Sequence, residues 1–414
     1  MRKRSFALLI LVLAVTVVAC RNNVAESPAP TGPPPDPAGL LVVGRADTSI
    51  FTVKPDGSGR TDVVEERPGL AAIQPTWSPD GGRLVWTEVN QMSEVPEPSI
   101  VTSGPRGQEI DRLAVPVAPF YYYWSPTGDK LAFLAGGPGG SVDLGILDNG
   151  AHFIGEAQPY YFAWAPDGQT LLTHTDLKAV ALVTTDGTAT TLERTEAQFQ
   201  APQWAADGTR LVYATGTPPA PGGVLAGAFQ SNGQEIVIAD NEGEILRGFG
   251  TFAGVATFEL SPDGQQIAHS VTLDRKTFNF GPLVITDIDS GDETTVSQQP
   301  VLAFQWSPTG EALLYLASEG GIDHPSFRWA VWDGTSSTEY AMVTPTPTFA
   351  GSYLPFWDQY SRSHSLWAPD GSAFAYSGLN EAGDSTVWVQ RVGGEPEPQE
   401  VASGDVVFWS PASG

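Results

Sequence analysis

The chain has 414 residues, 41% of them hydrophobic and 16% charged, and 21 Lys and Arg stand against 47 Asp and Glu for a formal net charge of −26. So acidic a surface repels phosphate backbones and excludes nucleic acid as a partner, while the length exceeds one ordinary core and calls for several domains or a repeat. The only cysteine, Cys20, excludes an intrachain disulfide and a cysteine-based zinc site.

Arg2, Lys3 and Arg4 form a positive start, and Phe6 to Ala19 an apolar run of 14 residues ending in Val17-Val18-Ala19-Cys20. The run has signal-peptide length and is short for a membrane span. It resembles the bacterial lipobox, with Val17 where that pattern prefers Leu. The resemblance implies a signal peptide over 1–19 and lipidation at Cys20. Residues 20–39 then form a tether, extended by Pro28, Pro30, Pro33, Pro34, Pro35 and Pro37. The body, 40–414, is expected outside the cytoplasm, attached to a membrane through the N-terminal lipid.

Leu40-Leu41-Val42-Val43 and Ile50-Phe51-Thr52-Val53 read as strands, and from there a five-residue pattern recurs. Its copies are Trp77-Ser78-Pro79-Asp80-Gly81, Trp124-Ser125-Pro126-Thr127-Gly128, Trp164-Ala165-Pro166-Asp167-Gly168 and Trp204-Ala205-Ala206-Asp207-Gly208. They continue as Leu260-Ser261-Pro262-Asp263-Gly264, Trp306-Ser307-Pro308-Thr309-Gly310, Trp367-Ala368-Pro369-Asp370-Gly371 and Trp409-Ser410-Pro411-Ala412-Ser413. Spacings of 47, 40, 40, 56, 46, 61 and 42 residues suit a four-stranded propeller blade. Proline presets the turn, Asp or Thr bonds back into it, and glycine takes its positive φ. Short apolar strands such as Leu84-Val85-Trp86 and Leu131-Ala132-Phe133 follow, so each motif is the hairpin between the first two strands of a blade.

The chain ends inside the pattern, with Val406-Val407-Phe408-Trp409 a first strand whose blade is completed by the strands at residues 40–53. The expected fold is all-β: a single eight-bladed β-propeller, closed by pairing of the C-terminal strand with the N-terminal strands. The motifs resemble the TolB-like propeller repeat, a relative of the WD repeat found in bacterial envelope proteins, over residues 40–414. The small N-terminal α/β domain of TolB has no counterpart, so a role in the Tol–Pal system is not implied.

No catalytic motif is present: neither the Gly-x-Ser-x-Gly elbow, nor the zinc-protease helix, nor a phosphate-binding Gly-Lys-Ser/Thr loop. Gly248-Phe249-Gly250-Thr251-Phe252-Ala253 imitates a dinucleotide fingerprint without a helix after it. No cofactor is expected. Asp287-Ile288-Asp289-Ser290-Gly291-Asp292-Glu293 could hold calcium, but it falls where other blades place Asp and Gly for turn geometry. Glu259 is the exceptional carboxylate among inner-strand positions.

The long connections, Glu88 to Pro98, Thr215 to Gln234, Thr272 to Pro282, Ser318 to Phe327 and Thr344 to Arg362, all belong to the face opposite the motif turns. The last holds Tyr353, Phe356, Trp357, Asp358, Tyr360, Arg362 and His364. Tyr121, Tyr161 and His364 each stand three residues before a motif Trp, which places them at one level of the inner strands. These nine residues form the candidate binding face, and two roles are open to its aromatics: exposed anchors for a ligand, or a hydrophobic plug in the channel. The expected function is non-enzymatic protein binding or scaffolding, by a monomer whose partner is an envelope protein or a glycan. The alternatives are a glycan- or small-molecule-binding propeller with its site at the channel mouth, and a propeller lactonase or lyase.

Overall fold

The computed structural model describes residues 37–46, 49–93, 95–176, 179–193, 200–216, 234–252, 254–271, 281–319, 326–394 and 397–411. Cys20, the signal peptide and nearly all of the tether lie outside them, as do most of the connections 215–234, 272–282 and 318–327. Residues 36–414 form one compact unit.

That unit is a β-propeller. Four-stranded antiparallel sheets cover residues 70–114, 119–157, 160–193 and 203–252, each a meander in chain order. Two further meanders, 256–306 and 293–343, share the strand Glu293–Trp306, whose first half pairs with Gly281–Asp287 and whose second half pairs with Leu313–Glu319. Fourth strand and next first strand thus run on without a break, where the sequence suggested two separate elements. Ala373–Leu379, Ser385–Arg391 and Gln399–Ser403 form a three-stranded sheet, extended inward by a single bridge from Trp367 to Phe374. The strand Val406–Trp409 pairs with Leu41–Gly44, in the register Leu41 to Trp409 and Gly44 to Val406.

The motif turns work as their residue types require. Ser78 Oγ donates to Asp80 Oδ1 at 2.5 Å, the Gly82 N–H reaches the same oxygen at 3.0 Å, and Gly81 has φ of 66°. These bonds hold the Asp80 carboxyl below its ordinary range.

Four of the motif tryptophans join neighbouring sheets by hydrogen bonds, while the indole N–H groups of Trp124 and Trp204 are buried without a partner. The indole N–H of Trp77, Trp164, Trp306 and Trp367 donates to the carbonyl of Phe408, Tyr123, Glu259 and Gln305, at 3.4, 2.9, 3.2 and 3.0 Å. Each acceptor is the residue before the first motif position of the preceding sheet, Trp in three cases and Leu260 in the fourth. A large apolar body filling the seam between sheets thus has its one polar atom satisfied there. Trp409 uses Ala38 O instead, at 2.7 Å.

The connection Glu88 to Pro98 is shorter than its sequence suggested, because Glu88, Val89 and Asn90 pair with Ser99, Pro98 and Glu97. Gly248 to Phe252 lies within the outer strand Ile245–Phe252, which removes the dinucleotide reading.

Candidate functional site

Residues 344–366 leave the outer strand Ser337–Val343, fold into three short helical turns ending in Trp357–Tyr360, and descend among the inner strands. The polar groups of this segment decide where it sits. Gln359 forms a two-way pair with Phe162: its Oε1 accepts the Phe162 N–H at 3.1 Å, and its Nε2 donates to Phe162 O at 2.8 Å. Nε2 also donates to Tyr121 Oη at 2.9 Å. Trp357 Nε1 donates to Phe304 O at 3.1 Å, and Tyr360 Oη to Phe120 O at 3.2 Å. Asp358 Oδ2 accepts the Ala201 N–H at 3.0 Å. One segment is therefore tied to inner strands of three separate sheets and to the entry of a fourth.

Its aromatics close the channel. Tyr353, Trp357 and Tyr360 are buried, and Tyr360 packs edge-on against Tyr121 and His364 at 5.1 and 5.2 Å. His364 also meets Phe408 at 4.4 Å and shares hydrogen bonds with Thr76 Oγ1 and Ser363 Oγ. Burial lowers the His364 imidazole to about 3, so it is neutral, and raises the phenols of Tyr121, Tyr161, Tyr353 and Tyr360.

Of the nine candidate residues, Tyr121, Tyr161, Asp358, Tyr360 and His364 are brought together in the channel; the equal distance from a motif Trp applied to Tyr121, Tyr161 and His364 and carried no information on Asp358 and Tyr360. Of the two roles left open for the aromatics, the geometry selects the plug. Tyr353, Trp357 and Tyr360 are core side chains, not surface anchors, because each phenol or indole finds its environment inside the ring. Phe356 alone among these aromatics is exposed, at 47%. Asp358 is held among apolar groups that push its carboxyl up to about 6, with its two backbone donors and Arg362 opposing.

Two cavities flank the plug. One, of about 210 Å³, opens on the plug's entry side between Phe258, Phe304, Leu354 and Trp357. The other, of about 350 Å³, opens on the face of the motif turns, ringed by Pro79, Pro126, Pro308, Pro369 and Pro411. Glu259 lines both. It stands one residue before its motif, the position of Gln203 and Gln305. Those two glutamines brace the next inner strand: Gln203 accepts the Leu260 N–H and donates to Phe258 O, and Gln305 accepts the Leu366 N–H and donates to His364 O. Glu259 has Oε2 buried without a partner, and burial pushes its carboxyl up to about 8. The repeat position, once aligned with Gln203 and Gln305, is the signal that sequence reading left unused.

The loop at Asp287 is a turn: Asp287 Oδ1 accepts the N–H groups of Asp289 and Ser290 at 3.1 and 2.8 Å. Among the described residues no group of three His, Cys, Asp or Glu is placed to hold a metal.

No family model and no curated protein matches the chain. Solved structures do. A eukaryotic initiation factor is 11% identical, with a TM-score of 0.57 over 91% of this chain and 100% of that one. An oligogalacturonate lyase in complex with manganese is 13% identical, with a TM-score of 0.50 over 89% and 85%. TolB from Acinetobacter baumannii is 13% identical, with a TM-score of 0.40 over 80% and 83%. The likeness is one of fold.

Proposed function

We propose that this protein is an eight-bladed propeller, closed by its C-terminal strand and carried on a lipid at Cys20, that works outside the cytoplasm by binding a protein partner and not by catalysis. The sheets support the count: the shared strand Glu293–Trp306 serves two blades, and Ser365 to Trp367 supplies the inner edge of the last. Lipid attachment rests on the apolar run that ends in Ala19-Cys20.

One observation carries the binding reading. On the face opposite the motif turns, the connections and strand starts around 70–120 expose Ile73, Met92, Val95, Val117 and Phe120. Met92 and Val95 are 77% and 73% exposed. Apolar side chains gathered at one end of adjacent sheets mark a docking surface for another protein. A reading as a lyase rests on fold alone, and this fold serves many activities.

The test is photo-crosslinking in intact cells. A crosslinking residue at Met92 or Phe120 should give discrete protein adducts, and one at Ile110 or Leu246, on outer strands, should not. Equal labelling from all four positions would defeat the reading. Cys20→Ser should move the protein from the membrane fraction to soluble secreted material, and retention in the membrane would defeat the lipid attachment.

A further inference from the structure

The second cavity, on the face of the motif turns, contains a charged group that the fold leaves unused. Its walls include the edges of Trp77, Trp124, Trp306 and Trp409, and its inner end is formed by the plug residues Arg362, Ser363 and His364. Arg362 Nε and Nη2 are buried and have no hydrogen-bond partner. This is the edge of the guanidinium that grips carboxylates elsewhere in the chain. Arg328 donates from Nε and Nη2 to Glu319 Oε1 and Oε2 at 2.6 and 3.4 Å, and Arg112 from the same pair to Glu109 Oε1 and Oε2 at 3.3 and 2.9 Å. At Arg362 the same fork has no acid between its tines.

The nearest acids do not supply one. Asp358 spends its oxygens on the backbone N–H groups of Ala201 and Gln359. Glu259 is held largely protonated at neutral pH by burial, so it offers Arg362 little compensating charge. A buried guanidinium edge without acceptors is costly, and fixed donors of this shape match a planar oxyanion two-fold. The Arg83 guanidinium lies 4.4 Å over the ring of Trp124, one of the cavity's wall residues.

We propose that this cavity is a binding site for a small carboxylic acid, whose carboxylate is received by the Nε and Nη2 edge of Arg362 and whose flat ring lies against the tryptophan and proline walls. A volume of about 350 Å³ admits one ring with a short acidic arm. Apolar indole edges and pyrrolidine rings accommodate a sugar ring or an aromatic ring equally, so the shared chemistry is a carboxylate borne on a flat ring. This site is on the opposite face from the proposed protein-docking surface and is independent of it.

The experiment uses the full-length protein and its tryptophan fluorescence, because the walls are themselves the reporters. Glucuronate and phenylacetate are titrated beside their uncharged counterparts, glucose and phenylacetamide. At least one acid should bind saturably, at least about tenfold more tightly than its neutral counterpart. The acid that binds separates a sugar acid from an aromatic one. Arg362→Gln should remove that preference, and Arg362→Lys, which keeps the charge without the fork, should retain only part of it. Neutral compounds binding as well as the acids, no saturable response to either acid, or an undiminished preference in Arg362→Gln would overturn the proposal. The comparison of acid with neutral compound needs no variant, so it stands even if a substitution at Arg362 disturbs folding.

Discussion

Gln359 completes the backbone hydrogen bonding of Phe162, a residue 197 positions away, with both halves of its amide: Oε1 takes the N–H and Nε2 reaches the carbonyl. A side chain on the plug thus does for an inner strand what another strand would do. Changing Gln359 to Leu keeps the bulk and removes both partners, leaving a buried N–H and carbonyl without water. The expected cost is about 2–3 kcal/mol, read as a lower midpoint in urea unfolding at unchanged slope. An unchanged midpoint would mean that the plug does not brace this strand.

Glu259 occupies a position that glutamine fills in two other repeats, and its carboxyl is raised from 4.5 to about 8 by burial. Between those values the folded protein holds a proton that the unfolded chain has released, so stability contributed by this group is full below about 4.5 and lost as the pH rises to about 8. Glu259→Gln should therefore be about as stable as the parent near pH 4.5 and more stable at pH 8 and above, by an amount on the order of 5 kcal/mol at most. His174, His269 and His364, lowered to about 4, 4 and 3, act the other way. They remove stability as the pH falls below about 6.5, but equally in parent and variant. Thermal melts at pH 5, 7 and 9 check this, and a difference that does not grow with pH would refute it.

The pairing of Val406–Trp409 with Leu41–Gly44 gives a third expectation. Asp405 fastens the same place: its carboxylate accepts from Ser385 Oγ at 2.7 Å and from the Ala46 N–H at 2.6 Å, joining the end of the chain to its start. Deleting 405–414 removes this clasp and frees the edge of the strand Leu41–Gly44. The truncated protein should aggregate on purification and melt well below the parent. A soluble truncation with an unchanged melting temperature would show that the ring does not depend on this strand.

Much of the architecture was legible because its signals are local. Pro79, Asp80 and Gly81 name a turn by their own backbone preferences, and Trp77 in the same slot of every unit but one marks the seam. What the sequence could not show is what meets across the channel. Tyr353, Trp357 and Tyr360 have the composition of a binding loop and the burial of a core, and only the distances to Phe120, Tyr121 and Phe304 separate the two. Arg362 was grouped with those aromatics by adjacency, yet it sits at the far end of the plug and lines the opposite cavity. The unbroken strand Glu293–Trp306 was missed because Gln298, Gln299 and Pro300 carry the composition of a loop.

Trp357 and Tyr360 make the plug testable as a structural element. Both are buried, and their indole N–H and phenol donate to Phe304 O and Phe120 O on separate sheets. Replacing the two with Ala opens a cavity at the axis and leaves two carbonyls short of a donor. A buried Trp to Ala change alone costs about 3–5 kcal/mol, and the second, touching the same partners, adds less than its single value. The double variant should lose melting temperature heavily, while photo-crosslinking from Met92 in molecules that remain folded should be unchanged, because that surface lies outside the plug. If the double variant keeps its melting temperature and loses its crosslinks, the two rings are contact residues for the partner and the plug assignment fails.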